Sequence, residues 1–203
     1  MADKQEKPVY LGSATAPAQF AVVPQGTKQI AFAGPSNVGK SSLINALLGA
    51  KLAHTSKTPG RTQMINFFTA PGGLVFADLP GYGFADVPEP LRVSWQQLVD
   101  AYLLDVPDVR GIFLLHDIRR DWTENDAALA EFLNHHQRPW RIILTKADKL
   151  KRGTALATRA DLARRSGLTP QALVMVSTLK GEGMQETRRL IRELTMPVRP
   201  EHG

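Results

Sequence analysis

Eight residues, GPSNVGKS at positions 34–41, restrict what this chain can become more than any other stretch. They fit the spacing G-x-x-x-x-G-K-[ST]. An apolar run, QIAFA, precedes them, and a segment with Leu43, Leu47 and Leu48 at helical spacing follows and stops on Gly49. A strand that turns through glycines into a helix N-terminus presents successive backbone N–H groups to an anion, with the helix dipole behind them. Gly34 and Gly39 allow a close approach, and Pro35, Ser36, Asn37 and Val38 form the cradle between them. Lys40 would reach the β- and γ-phosphates, and the Ser41 hydroxyl would ligate Mg²⁺. The spacing predicts a nucleoside triphosphate site and leaves the base open.

Strand-like and helix-like segments alternate through the rest of the chain. QMINFFTA and LVFADLP, joined by PGG, read as a hairpin, and GIFLLHDI, RIILTKAD and ALVMVST read as further strands. Helices are expected over about 90–105, from a Thr123 N-cap to His136, over about 153–166 and over about 183–194. This alternation predicts an α/β fold of the P-loop NTPase type. Its six-stranded sheet would be mostly parallel with one antiparallel strand, with helices on both faces and ligands at the carboxyl ends of the strands. Residues 1–27 read as a lead-in, 28–195 as one nucleotide-binding domain and 196–203 as a tail. Trp95 and Tyr102 lie on one helical stripe with Leu91 and Leu98 and are expected in the core. His135 and His136 close a helix, where its dipole favours positive charge, and no metal role is expected of them.

Three further stretches stand at strand ends. In TKAD the Asp148 carboxylate can accept hydrogen bonds from guanine N1–H and the exocyclic amine, whereas adenine would meet it with a lone pair. Thr145, Lys146 and Ala147 complete that turn, and the Lys146 stem can lie over the purine face. In DLPG, Asp78 would hold Mg²⁺ through a water, Leu79 and Pro80 carry the turn, and the Gly81 N–H would sense the γ-phosphate. Between the first helix and the hairpin, TPGRTQM places Gly60, Arg61, Thr62, Gln63 and Met64 in a switch-like loop. Thr62 is the candidate second hydroxyl on Mg²⁺, with Thr58 as its competitor. Ser177, Thr178 and Leu179 would offer backbone contacts to the guanine edge, although a plain strand-to-helix turn explains them nearly as well. Lys40, Thr62 and Gly81 are the candidate catalytic residues.

Composition excludes several classes. The chain has no cysteine among 203 residues, which removes disulfide frameworks, cysteine zinc sites and thiol chemistry and suits a reducing cytoplasm. No apolar run approaches the roughly 18 residues of a membrane span, and the N-terminus lacks the apolar core of a signal peptide. Lys and Arg number 25 against 19 Asp and Glu, an excess of 6 that would favour phosphate-rich partners or an anionic membrane surface. Residues 149–165 alone carry six Lys or Arg and one Asp.

Taken together, SNVGKSSLINAL, KTPGRTQ, DLPGYG and TKAD resemble the EngB family, within the TrmE-Era-EngA-EngB-septin-like class of GTPases. The resemblance spans about residues 20–195 and includes HDIRRDWTENDAALAEFL. It implies a monomeric cytoplasmic G domain that binds GTP and GDP with Mg²⁺, hydrolyses GTP slowly, and acts with ribosomal RNA in assembly of the large (50S) subunit and in normal cell division and septation. Pro35 stands where the family commonly has Arg, and Thr145, shared with the family, stands where many GTPases carry Asn. Tyr82 takes the place of the glutamine that orients water in other GTPases. Charge stabilisation would then come from elsewhere, with K⁺ at Asn37 as the candidate. Arg119 and Arg120 would extend the basic surface or act near the nucleotide. Two other readings stay open: a P-loop kinase or ATPase, which TKAD disfavours, and a nucleotide-gated scaffold for division or membrane proteins.

Overall fold

QIAFA is buried at all five positions and forms strand β2, Gln29–Ala33. Such a run suits a strand covered on both faces, with parallel neighbours. The computed structural model describes residues 7–54, 64–82 and 89–196. Among them the other strands are β1, Tyr10–Ala14; β3, Ile65–Ala70; β4, Leu74–Asp78; β5, Val109–Asp117; β6, Trp140–Thr145; and β7, Leu173–Met175. They form one sheet in the order β1-β3-β4-β2-β5-β6-β7. β3 runs antiparallel to both β1 and β4, and the remaining neighbours are parallel.

The described helices are α1, Lys40–Leu48; α2, Glu89–Asp105; α3, Glu124–His135; α4, Arg152–Ser166; and α5, Met184–Thr195. Side chains alternate between the faces of a strand, so β2 supplies two cores. Ala31 and Ala33 join Ile112, Leu114 and Ile142 beneath Leu98 and Tyr102 of α2, Leu133 of α3 and Leu162 of α4. Ile30 and Phe32 join Phe113, Leu115 and Ile143 beneath Leu43 and Leu47 of α1 and Ile191 of α5. Helices thus cover both faces, as the alternation of elements predicted.

The sheet corrects one expectation, having seven strands where six were read. The extra strand, β1, comes from the segment taken as a lead-in and pairs antiparallel with β3. Its register shifts between Tyr10 and Gly12, and Ala14 is its one fully buried residue. Beyond it Phe20 packs edge-on against Tyr102, with ring centroids 5.3 Å apart. Tyr102 is fully buried, and its hydroxyl donates to Gln29 Oε1 at 2.8 Å. Trp95, expected in the same stripe, is only half-buried. The PGG turn joins β3 to β4 with Gly72 and Gly73 both left-handed, at φ 82° and 68°, a pair of conformations that glycine adopts without steric cost.

Candidate functional site

Parallel register brings the chemistry to one end of the sheet. Phe32 of β2 lies beside Asp78 of β4, Ala33 beside Leu114 of β5, and Asp117 beside Thr145 of β6. The carboxyl ends of β2, β4, β5 and β6 therefore open together, where the loop 34–39 leaves β2. Gly34 is required there by packing. A Cβ at this residue would lie 2.8 Å from the Leu115 carbonyl oxygen. Gly39, the N-cap of α1, is left-handed at φ 107°, and Leu43 N–H closes the first helical turn onto its carbonyl at 2.9 Å. Lys40 and Ser41 thus begin the helix, with their backbone N–H groups at its positive end.

Lys40 Nζ pairs with Asp78 Oδ1, and both side chains are nearly buried. The loop lysine and the DLPG aspartate are thus brought into direct contact. Leu79 continues from β4 by donating its N–H to Phe32 O at 3.0 Å. Gly81 lies against the outer lip of the loop: a Cβ there would fall 2.6 Å from Ser36 Oγ and 3.2 Å from Ser36 N. The next residue, Tyr82, forms an isolated parallel bridge with Pro35.

The TKAD turn is tied to the same loop. Thr145 Oγ1 lies 2.7 Å from Val38 O and 3.2 Å from His116 O, and it is 4% exposed. The threonine hydroxyl therefore braces the loop from the position where many GTPases place asparagine. Lys146, left-handed at φ 58°, donates to Asn37 O at 2.8 Å and lies 3.0 Å from Asp117 Oδ2. Ala147 N–H bonds to Val176 O at 3.0 Å. The Ser177 hydroxyl, with help from the Asp148 N–H and Lys149, holds the Asp148 carboxyl below the ordinary range. Ser177 is fully buried and Leu179 is exposed, so the turn after β7 anchors at one end and projects at the other.

Two carboxylates of this region escaped the sequence reading. Asp117 ends β5, and burial alone would raise its pKa. Arg119, with two side-chain hydrogen bonds of 2.9 and 2.7 Å and its own N–H, and Lys146 overcome that and hold it far below the usual carboxylate range. Arg119 thus sits at the carboxyl end of the sheet, holding the carboxylate that holds Lys146. Asp126, at the third position of α3, closes a capping box with Thr123, and the Tyr82 hydroxyl donates to its other oxygen at 2.7 Å. The first of these was findable, because HD closes an apolar strand as AD closes β4. Asn45 was missed too. Its side chain accepts from Leu52 and Ala53 N–H and donates to Ala53 O, which fixes the chain as it leaves α1.

Gly60, Arg61, Thr62, Gln63 and the competitor Thr58 lie outside the described residues. Met64 stands half-buried immediately before β3.

Loop, β4 carboxylate and β6 turn together define a P-loop GTPase domain. Residues 29–146 match the family described as "50S ribosome-binding GTPase". The chain is 42% identical over 168 residues to a probable GTP-binding protein EngB of Desulfosudis oleivorans, covering 82% of this chain and 85% of that protein. It is 51% identical over 147 residues to the one of Nitrosococcus oceani, with 72% of each covered. Among solved structures, a probable GTP-binding protein EngB shares the fold with a TM-score of 0.69 at 24% identity, over 82% of this chain and 97% of that one. Era of Aquifex aeolicus shares it with a TM-score of 0.70 at 24% identity, over 87% and 60%. The chain belongs to the EngB family of GTP-binding proteins, and it is a GTPase.

Proposed function

We propose that this GTPase uses its nucleotide state to time association with an immature large ribosomal subunit, as a cytoplasmic monomer needed for normal division and septation. GTP would lie with its phosphates on 34–41, Lys40 against the β- and γ-phosphates, Gly81 N–H toward the γ-phosphate and the guanine edge on Asp148. The nucleotide-binding unit would be 28–195, flanked by 1–27 and 196–203. Ser41 and Asp78 are hard oxygen donors, few in number, which suits Mg²⁺, an ion that completes its shell from phosphate and water. Among the described residues no group of three or more His, Cys, Asp or Glu gathers to hold a metal by side chains alone. When bound, Mg²⁺ would neutralise charge on the phosphates, with Thr62 as the further hydroxyl. Without an activator, turnover would be slow, with ~10⁻⁴ to 10⁻³ s⁻¹ as a guide. Asn37, left-handed and exposed within the loop, is the place for K⁺ in this reading, and equal turnover in sodium and potassium buffers would remove that assignment.

The ribosomal part rests on the match of residues 29–146 to the 50S ribosome-binding family. A structural neighbour adds support: Era, at 25% identity and a TM-score of 0.68, was solved with MgGDPNP and a segment of 16S ribosomal RNA. In this chain α4 and its approach expose Lys149, Lys151, Arg152, Arg164 and Arg165, with Asp161 the one acid between 149 and 165. Such a face suits RNA phosphates and would bind with a steep dependence on salt. Sedimentation of cell extract with a non-hydrolysable GTP analogue tests the proposal. The protein should travel with 50S-size particles in the analogue and leave them in GDP. Migration with division proteins and no ribosomal particles would favour the scaffold instead.

A further inference from the structure

Tyr82 stands where glutamine-bearing GTPases orient the attacking water, yet its hydroxyl is committed elsewhere, at 2.7 Å from Asp126 Oδ1. Asp126 is 1% exposed, 44 residues further along the chain. Burying a carboxylate is costly unless its oxygens are satisfied. Helix capping accounts for one of the two: Asp126 Oδ2 accepts from Thr123 N–H at 3.0 Å and from Thr123 Oγ1 at 2.8 Å. His116 Nδ1, at the end of β5, lies 3.5 Å from the same oxygen, and His116 Nε2 meets the Arg120 carbonyl at 3.0 Å. Oδ1 plays no part in the cap and carries Tyr82.

We propose that Asp126 is a positioning residue for the GTPase: through the Tyr82 hydroxyl it holds the Gly81–Tyr82 backbone against the loop lip, so that the Gly81 N–H is aimed before GTP arrives. Contacts fix both ends of this tether. Gly81 packs against Ser36, where a Cβ would lie 2.6 Å from Ser36 Oγ and 3.2 Å from Ser36 N, and Tyr82 bridges Pro35. At the other end, the connection from β5 to α3 also carries Arg119 and Asp117, which hold Lys146 beside the loop. The phosphate-sensing and base-reading sides of the site therefore share one anchored segment, 116–126. Burial, reinforced by the Asp126 charge, raises the Tyr82 phenol far above its ordinary range, so it stays a hydrogen-bond donor at every working pH. The inference rests on the role of Gly81 as γ-phosphate sensor and is independent of the ribosomal partner.

The test is a double-mutant cycle on the full chain with Tyr82→Phe, Asp126→Asn and both. Affinities for GDP and for a non-hydrolysable GTP analogue, and the single-turnover rate, are measured with fluorescent nucleotides. A charge-assisted hydrogen bond that acts on the triphosphate state should give about a tenfold loss in analogue affinity or in rate. GDP affinity should stay within about twofold, and the double variant should be no worse than either single one. The tether is overturned if GDP and analogue affinity fall together, if neither analogue affinity nor rate moves by about twofold, or if the two losses add. Should Asp126→Asn fail to fold, Tyr82→Phe, which deletes one oxygen, decides by the ratio of analogue to GDP affinity.

Discussion

Replacing Thr145 by valine keeps its shape and removes one hydroxyl, which makes it the sharpest probe of the link between the base-reading turn and the phosphate loop. That hydroxyl donates to the Val38 carbonyl at 2.7 Å, and Val38 is itself 2% exposed. A methyl in its place leaves a carbonyl in a buried setting without its donor, at a cost of about 1–3 kcal/mol. For a chain of this size each kcal/mol shifts the melting temperature by about 2–4 °C, so a fall of roughly 2–12 °C is expected. A loop without its brace must also be ordered by the ligand, so GDP affinity should weaken by up to roughly tenfold. Thr145→Ser keeps the donor and should recover most of both losses. Thermal melts and stopped-flow binding of a fluorescent GDP read the two effects. A valine variant within about 1 °C and twofold of the parent would refute the brace.

Further outcomes follow from single contacts. Gly183→Ala should cost roughly 3–5 kcal/mol in a denaturant melt, since its Cβ would fall 2.1 Å from Met175 O on a residue with φ 76°. Gly181→Ala, with φ 71° but open space around it, should cost only about 1–2 kcal/mol. Asp117 and Asp126 both have folded pKa values depressed below the unfolded ones, so their stabilisation is complete above about pH 4 and is lost as pH falls further. Asp117→Asn should therefore be less stable at pH 7 and show a shallower decline below pH 4, read from urea midpoints across pH. Lys146→Met removes the contacts to Asn37 O and Asp117 and should raise the GDP dissociation rate by about tenfold while α/β content by circular dichroism is unchanged.

Much of the scaffold was legible because burial on both faces writes apolar runs into the parallel strands, and because glycines punctuate the loop and helix ends. QIAFA, GIFLLHD and RIILT announce themselves in this way. β1 does not: YLGSA is short, lies at the sheet edge and buries only Ala14, so it carries neither an apolar run nor alternation. Thr123 was readable as a cap because capping is local. The second bond of Asp126 was not, because its partner Tyr82 is brought there by the order of strands. Thr145 illustrates a third case. A buried threonine at a strand end is ordinary β-branched packing until the loop carbonyl is seen above it.

The central claim is that Lys40, Ser41, Asp78 and Asp148 form one guanine-nucleotide site, and calorimetric titration of the full chain with GDP, GTP and ATP in magnesium buffer tests it most directly. Saturable heat for both guanine nucleotides at one site per chain is expected, with ATP weaker by three orders of magnitude or more, on the order of the discrimination a demanded hydrogen bond provides. No heat with GDP or GTP, or equal affinity for ATP, would contradict it.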